Sequence, residues 1–357
     1  MSRKLNKSKK ILLLGSTGSI GRQTLEIIDQ FKDQFIITGL AVKNNEELLC
    51  KQCQKFKVKT VHIFKEKITK NWKNFRLYQG EEGLEQIVHE TDFDILVNAL
   101  VGEVGIKPTI AATKKGKIVA LANKESLVAA GEVIMKKVKK YKGEIRPIDS
   151  EHSAIWQSLH AGKKSEIDKI ILTCSGGPFR DSQKWPLEKL KTVTPHQALK
   201  HPNWNMGKKI SIDSATLMNK ALEVIEAVRL FQLSPQKIEV VLHPESILHS
   251  AVRFCDGSIV GQMGKPDMKT AIAYALFYPQ RLPLKGEKFS FFNQKLTFKN
   301  IDSSRFPSID FAFKALKKGE QVCKALNKAN EKAVEEFLAK KIGFLDIFKK
   351  VKQVLKK

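Results

Sequence analysis

Cysteine is scarce: there are five in 357 residues, at positions 50, 53, 174, 255 and 323. An odd count with irregular spacing excludes a disulfide scaffold. Cys50-Lys-Gln-Cys53 has the form of a CxxC, but no second cysteine pair lies near it in sequence. Ordinary thiols are expected there, not a metal or redox centre. No apolar run approaches the length of a membrane span. The basic start, MSRKLNKSKK, lacks the apolar core and cleavage pattern of a signal peptide, and Ile11–Leu14 is too short for one. A cytoplasmic protein is expected, and a chain stripped of an organelle-targeting segment would look the same. Acidic residues are also few, 37 against 63 Lys and Arg, for a formal charge of +26. The excess is mainly lysine spread along the chain, with no zinc-finger pattern, RNP-like strand or long basic tract. A nucleic-acid partner is therefore not expected, and neither is a membrane partner. A basic surface also draws anionic substrates toward a cleft.

What is present fits a soluble globular protein, with 42% hydrophobic and 28% charged residues. The length suggests two or three domains. The clearest local signal is KKILLLGSTGSIGRQTLEIIDQF: an apolar strand, then Gly15, Gly18 and Gly21 at three-residue steps, then a helix. Glycines let the backbone approach a pyrophosphate, and the helix start offers N–H groups to it. A second strand, Ile36–Val42, is followed by Lys43, Asn44 and Asn45, with no acid before Glu46. An NAD site commonly has an acid there for the ribose, so Lys43 and Asn44 favour a 2′-phosphate and NADP. The alternative is an exposed loop lysine. Further strands at Thr60–Phe64, Asp94–Leu100 and Lys117–Leu121 alternate with helical patterns, which predicts a mostly parallel sheet. Asn123, Lys124 and Glu125 directly follow a strand, where such sheets carry ligand loops. Their other reading is a polar helix start.

Beyond residue 145, Asp149 and Glu151 stand two apart, and a continuing strand would turn both carboxylates to one side. A hard divalent cation needs such oxygens, and Glu223 is the candidate third ligand. Cys174-Ser175-Gly176-Gly177 can form a phosphate-binding turn or a plain one. The polar stretch Thr194–Gly207, with His201 and Trp204, reads as a lid over a ligand or as a surface loop. Lys208–Ser211 reads as a strand leading into an amphipathic helix. Asn219, Lys220 and Glu223 share one flank of that helix, either as a phosphate and metal site or as a solvated face. Strands at Glu239–Leu248 and Ala251–Gln262 precede a mainly helical end, whose tail KIGFLDIFKKVKQVLKK also has the form of a membrane-surface helix.

Taken together, GSTGSIG, LANKESLVAAG, PIDSEHSAIWQSL, TCSGGPF, HPNWNMGKKISIDSATLMNKALEVIEA and HPESILHSAVRFCDGS resemble the 1-deoxy-D-xylulose 5-phosphate reductoisomerase family over essentially the whole chain. The resemblance implies an α/β protein: an N-terminal Rossmann-like NADPH domain (1–145), a central α/β catalytic, metal-binding and dimerisation domain (146–285), a connector (286–305) and a C-terminal helical domain (306–357). It implies NADPH- and Mg²⁺- or Mn²⁺-dependent conversion of 1-deoxy-D-xylulose 5-phosphate to 2-C-methyl-D-erythritol 4-phosphate, on the non-mevalonate route to isoprenoid precursors, by a homodimer. Residue by residue, it implies cofactor contacts at Thr17, Gly18, Ser19, Ile20, Lys43, Asn44, Asn123, Glu125 and Gly207. Metal carboxylates fall at Asp149, Glu151 and Glu223, which with Lys124 form the catalytic set. Contacts to a phosphorylated, sugar-like substrate fall at Lys124, Ser150, Glu151, Ser175, His201, Trp204, Ser214, Asn219, Lys220 and Glu223. Two departures stand out: Val42 occupies a position that is glycine in familiar members, and the chain ends at Lys357, short of the family's final helical region. Rival readings are an NADP-dependent polyol dehydrogenase, which needs no three-carboxylate site, and a basic nucleotide-sensing or nucleic-acid-binding protein.

Overall fold

The computed structural model describes residues 8–202 and 207–356. The chain divides into two compact units. The first comprises residues up to Ser126, Val133–Asp149 and Met268–Lys285. The second comprises Leu127–Glu132, Ser150–Asp267 and residues from Gly286 onward.

In the first unit seven strands form one parallel sheet. They are β1 (Lys9–Leu14), β2 (Phe35–Val42), β3 (Thr60–Ile63), β4 (Arg76–Gln79), β5 (Ile95–Asn98), β6 (Ile118–Leu121) and β7 (Glu144–Pro147). Their spatial order is β4-β3-β2-β1-β5-β6-β7. The alternating helices are α1 (Ser19–Gln30), α2 (Glu46–Phe56), α3 (Gly80–Glu90), α4 (Ile106–Lys114) and α5 (Lys124–Tyr141). Ile11, Leu12, Leu13 and Leu14 are all fully buried, as a central strand covered on both faces requires. The order of winding reverses between β1 and β5, so the loops after these strands frame the crevice where ligands bind in such sheets.

The second unit carries a smaller mixed sheet of β8 (Ile167–Cys174), β9 (Ile238–Leu242), β10 (Leu248–Phe254) and β11 (Ile259–Met263), ordered β11-β10-β8-β9. Only β8 and β9 are parallel. Its first helices are α6 (Ser150–Ser158), the short α7 (Leu187–Leu190) and α8 (Pro195–Ala198), then α9 (Lys208–Ala215) and α10 (Met218–Phe231). Farther along, α11 (Met268–Phe277) returns to the first unit, where Phe277 packs edge-on against Phe31 and Phe35. The chain closes with α12 (Ser308–Lys318), α13 (Glu320–Leu338) and α14 (Phe344–Val354) in the second unit. The fold is thus a Rossmann-like region, a central α/β region and a C-terminal helical region.

Two expectations and one alternative reading are corrected. Lys208–Ser211 is helical, the first half of α9, and not a strand. Asp149 and Glu151 do not share a strand face, because β7 ends at Pro147 and Glu151 sits in the first turn of α6. The tail is no membrane-surface helix: Phe344, Ile347, Phe348 and Val351 of α14 lie in the core with Phe179 and Phe337. Exposing those four side chains would cost about 6–12 kcal/mol at about 1.5–3 kcal/mol each, so the packed arrangement prevails. Among the described residues, no helix is long and apolar enough to cross a membrane.

Candidate active site

The loop between β1 and α1 is built for close approach. Gly15 has φ +84°, and a Cβ there would meet the Ala99 carbonyl oxygen at 2.5 Å. Only glycine satisfies both conditions. Gly15 and Ser16 donate their N–H groups to Ala41 O (2.8 and 3.0 Å), and Gly18 N donates to Gly15 O (3.1 Å). Gly18 and Ser19 are exposed at the start of α1, and no side chain caps that helix. Its first N–H groups therefore remain for an anion. Sequence reasoning missed the brace behind the loop: buried Ser16 Oγ donates to Gln52 Oε1 (2.7 Å), and Gln52 Nε2 donates to Ser16 O (3.0 Å).

Lys43 and Asn44 are exposed beyond the end of β2. Val42, the departure from the family pattern, is buried as the last residue of that strand. Glu46, the first acid after the strand, is 3% exposed. It accepts from Thr69 N, Thr69 Oγ1, Lys70 N and Trp72 Nε1 at 2.9–3.1 Å and pairs with Lys65 Nζ at 2.6 Å. Burial pushes its carboxyl up, but the Lys65 and Trp72 bonds and the two backbone donors outweigh this and hold it well below the usual carboxylate range. This acid is committed to the 65–72 loop.

Asn123 caps α5, its Oδ1 accepting from Ser126 N (3.1 Å). Its Nδ2 donates to Leu100 O (3.0 Å), Gly102 O (2.9 Å) and Glu125 Oε2 (3.1 Å). The side chain thus holds the loop after β5. The next residue, Lys124, pairs with Asp149 Oδ2 at 2.9 Å.

In the second unit the flank of α10 that carries Lys220 and Glu223 is interior, which excludes the solvated-face reading. Lys220 and Glu223 are 3% and 1% exposed. Lys220 Nζ pairs with Glu151 Oε1 at 2.8 Å and also with Glu223, while Asn219 Nδ2 donates to the other Glu223 oxygen. Burial lowers the Lys220 ammonium pKa, but Glu151 and Glu223 outweigh it and raise the group above its ordinary value. A buried charge is tolerated only with such partners. Ser150 Oγ donates to Glu151 Oε2 at 2.5 Å.

Asp149 is the residue on which the chain passes from one unit to the next, two peptide links before Glu151. One oxygen each from Asp149, Glu151 and Glu223 lies within 4.8 Å of the others. This is the hard-oxygen donor set that Mg²⁺ or Mn²⁺ takes, and its three negative charges fit a divalent cation. Asp149, His152 and Glu226 form a second group of the same size. His152 and Glu226 are buried to 0% and 1% exposure, and His152 Nε2 bonds to the Glu223 carbonyl (3.0 Å), so that group leaves no face for a substrate oxygen.

Ser175, His201 and Ser214 also converge. Ser175 Oγ lies 3.1 Å from His201 Nε2, and Gly177 N donates to Ser175 Oγ (3.3 Å). Gly177 has φ +63°, and a Cβ there would lie 2.6 Å from Ser214 O, so the turn packs directly on the end of α9. Burial, then the nearby Arg180 charge, lowers the His201 pKa to about 4, so the ring is neutral near pH 7. Gly207 is exposed, and its carbonyl accepts from Ser211 N and Oγ at the start of α9. Trp204 lies outside the described residues.

Family models for 1-deoxy-D-xylulose 5-phosphate reductoisomerase match residues 11–131, and models of its C-terminal domains match 145–231 and 263–357. The reductoisomerase of Pelotomaculum thermopropionicum is 50% identical over 357 residues, covering 98% of this chain and 92% of the relative. That of Thermoanaerobacter pseudethanolicus is 47% identical with the same coverages. The Zymomonas mobilis enzyme in complex with NADPH superposes with TM-score 0.90 at 38% identity, covering 98% of this chain and 92% of that one. A reductoisomerase solved with NADPH, fosmidomycin and magnesium gives TM-score 0.91 at 39% identity, covering 97% and 89%. The chain belongs to the 1-deoxy-D-xylulose 5-phosphate reductoisomerase family and is an NADP-dependent oxidoreductase, which with NADPH and a divalent metal converts 1-deoxy-D-xylulose 5-phosphate to 2-C-methyl-D-erythritol 4-phosphate.

Proposed function

We propose that the reaction is carried by one constellation, Asp149, Glu151 and Glu223 as metal ligands with Lys220 and Lys124 as the cations beside them. The observation that supports this most directly is the convergence of three carboxylate oxygens within 4.8 Å. In this reading Gly207 and Thr17–Ile20 contact the cofactor, with its pyrophosphate on the start of α1, and Lys43 and Asn44 meet its 2′-phosphate. Glu46 is already held by the 65–72 loop, which removes the usual acid for a bare ribose and favours NADPH over NADH. Asn123 and Glu125 act at the cofactor by shaping the loop after β5. Residues 1–145 then serve the nucleotide, 146–285 the chemistry and 306–357 support, with 286–305 as connector.

When bound, the divalent cation supplies Lewis acidity at the substrate's carbonyl and hydroxyl oxygens, and NADPH supplies the hydride. The chain's own groups do the rest. Ser175, Ser214, Asn219 and Lys220 hold the phosphate through hydroxyl, amide and ammonium donors. His201, neutral at pH 7, orients the Ser175 hydroxyl. Ser150 holds Glu151 by its short hydrogen bond. Lys124 places a positive charge at Asp149, next to the reacting oxygens.

The protein works in the cytoplasm as a homodimer. β11 is an edge strand with Ile259 and Val260 exposed, and Phe291, Phe292 and Phe298 are exposed on the same unit. An exposed apolar edge of this kind invites a second copy. Light scattering at micromolar concentration checks it, and a monomer mass would refute it. The decisive functional test mixes the chain with 1-deoxy-D-xylulose 5-phosphate, NADPH and Mg²⁺, follows loss of NADPH absorbance and identifies the product. An unbranched polyol would favour the simple dehydrogenase.

A further inference from the structure

The α9–α10 junction holds an awkward backbone. Ser214 is the penultimate residue of α9 and Asn219 the second residue of α10, so both phosphate groups flank Leu217, a non-glycine residue at φ +58°. The left-handed conformation costs a branched side chain about 1–2 kcal/mol. It persists only where the surroundings fix it.

They do so from one direction. Ser308, the first residue of α12 and fully buried, donates its hydroxyl to Thr216 O at 2.8 Å. That carbonyl closes α9 and has no helical partner of its own. Asn330, fully buried on α13, donates to Asp213 Oδ1 at 2.7 Å, while Lys209 Nζ pairs with the other oxygen at 3.1 Å. Just before α12, Arg305 donates to Phe179 O (2.7 Å), at the end of the Ser175–Phe179 turn, and to Trp185 O (2.6 Å) six residues farther on. Three buried donors from residues 305–330 therefore reach the two segments that carry Ser175 and Ser214. Gly177 already presses one segment on the other at Ser214 O.

We propose that Arg305, Ser308 and Asn330 are positioning residues of the substrate-phosphate subsite, a clamp from the C-terminal helices that sets Ser175, Ser214 and Asn219 at the spacing one phosphate requires. None of the three touches substrate. The inference rests on the phosphate reading of Ser214 and Asn219 given above. The clamp acts on the ground-state grip of the phosphate dianion, so its loss appears in substrate KM and in inhibition by inorganic phosphate, not in the cofactor.

The test uses the full chain with Mg²⁺ and NADPH. Ser308→Ala removes one hydroxyl and keeps the fold. It is expected to raise substrate KM and the inhibition constant of inorganic phosphate together, each roughly five-fold for one lost buried hydrogen bond, with the KM for NADPH within two-fold of wild type. Asn330→Leu is expected to do more. The exchanged pair Asp213→Asn with Asn330→Asp, which rebuilds the contact with donor and acceptor reversed, is expected to recover part of that loss. A folded Ser308→Ala and a folded Asn330→Leu with unchanged phosphate inhibition would overturn the clamp. So would equal weakening of NADPH and substrate, the mark of general loosening. Ser214→Ala separates the two levels. If it weakens phosphate while the clamp variants do not, only the clamp fails. If it leaves phosphate inhibition unchanged, the phosphate assignment fails and the clamp with it.

Discussion

Glu46→Gln is the sharpest test of the first unit. Glu46 accepts from Thr69 N and Oγ1, Lys70 N and Trp72 Nε1, and it pairs with Lys65. Glutamine keeps the shape but turns one oxygen into a donor. On the Oε2 side that donor would face Lys70 N–H and Trp72 Nε1–H, and neither can accept. Hydrogen bonds to a charged acceptor contribute about 1.5–3 kcal/mol each, so losing two should destabilise by about 3–6 kcal/mol. For a unit of this size each kcal/mol moves Tm by roughly 2–4 °C, which predicts a fall of roughly 6–24 °C. Trp72 is the local reporter, and Trp72→Phe identifies its share of the emission.

The pH dependence gives an independent check. The folded Glu46 carboxyl lies below its ordinary value of 4.5. Its contribution is therefore present above about pH 4.5 and is lost as the pH falls below that toward the folded pKa. The gap in Tm between wild type and Glu46→Gln should be full at pH 7 and should narrow below pH 4.5. A drop under about 2 °C at pH 7, or a gap that stays constant into acid, would refute the reasoning. NADPH affinity should weaken as well, since Lys65 N donates to Lys43 O (3.0 Å) and couples this loop to the proposed 2′-phosphate residues.

Other outcomes follow from the same contacts. Glu223→Gln should lower kcat by about 100-fold or more, with NADPH binding, read by fluorescence, nearly unchanged. Wild-type turnover at equal Mg²⁺ would remove Glu223 from the metal set. Lys43→Ala should weaken NADPH much more than NADH, and equal loss of both would reject the 2′-phosphate assignment. Burial lowers the His249 pKa to about 4, against an ordinary 6.5, so the folded state holds a neutral ring there. Stability from that ring is complete above about pH 6.5 and is lost as the pH falls toward about 4, so Tm of His249→Gln should vary less with pH over that window than wild type. Gly21→Ala would put a Cβ 2.2 Å from Gly15 O and 2.6 Å from Ser16 Cα. It should abolish NADPH binding or soluble expression, and retained affinity would contradict the tight strand–loop–helix packing.

The parts of this molecule that could be read from sequence are those whose cause is local. Gly15, Gly18 and Gly21 belong to one turn; Gly18 and Gly21 answer to Gly15 and Ser16 a few residues away, while Gly15 also answers to Ala99 on the neighbouring strand's loop. The apolar run of β1 marks a strand covered on both faces by itself. α10 is different. Its spacing does put Asn219, Lys220 and Glu223 on one flank, but nothing within the helix says whether that flank meets water or protein. Glu151 decides it, 69 residues earlier, by pairing with Lys220. The strand reading of Lys208–Ser211 fails for want of length: Ile210 and Ile212 flank its end. Two isoleucines two apart mimic strand alternation, and eight residues are too few to show a helical period. Asp213 is held in the interior by Lys209, one turn earlier, together with Asn330, 117 residues later. A charge is stable inside a protein only as part of a mutual arrangement. Sequence can therefore nominate the chemical types at a buried ionic site, while the partners that make burial possible come from distant segments. The same physics applies to Glu46: the residues that hold it, Lys65, Thr69, Lys70 and Trp72, lie one strand away, and in sequence it is simply an acid at the start of a helix.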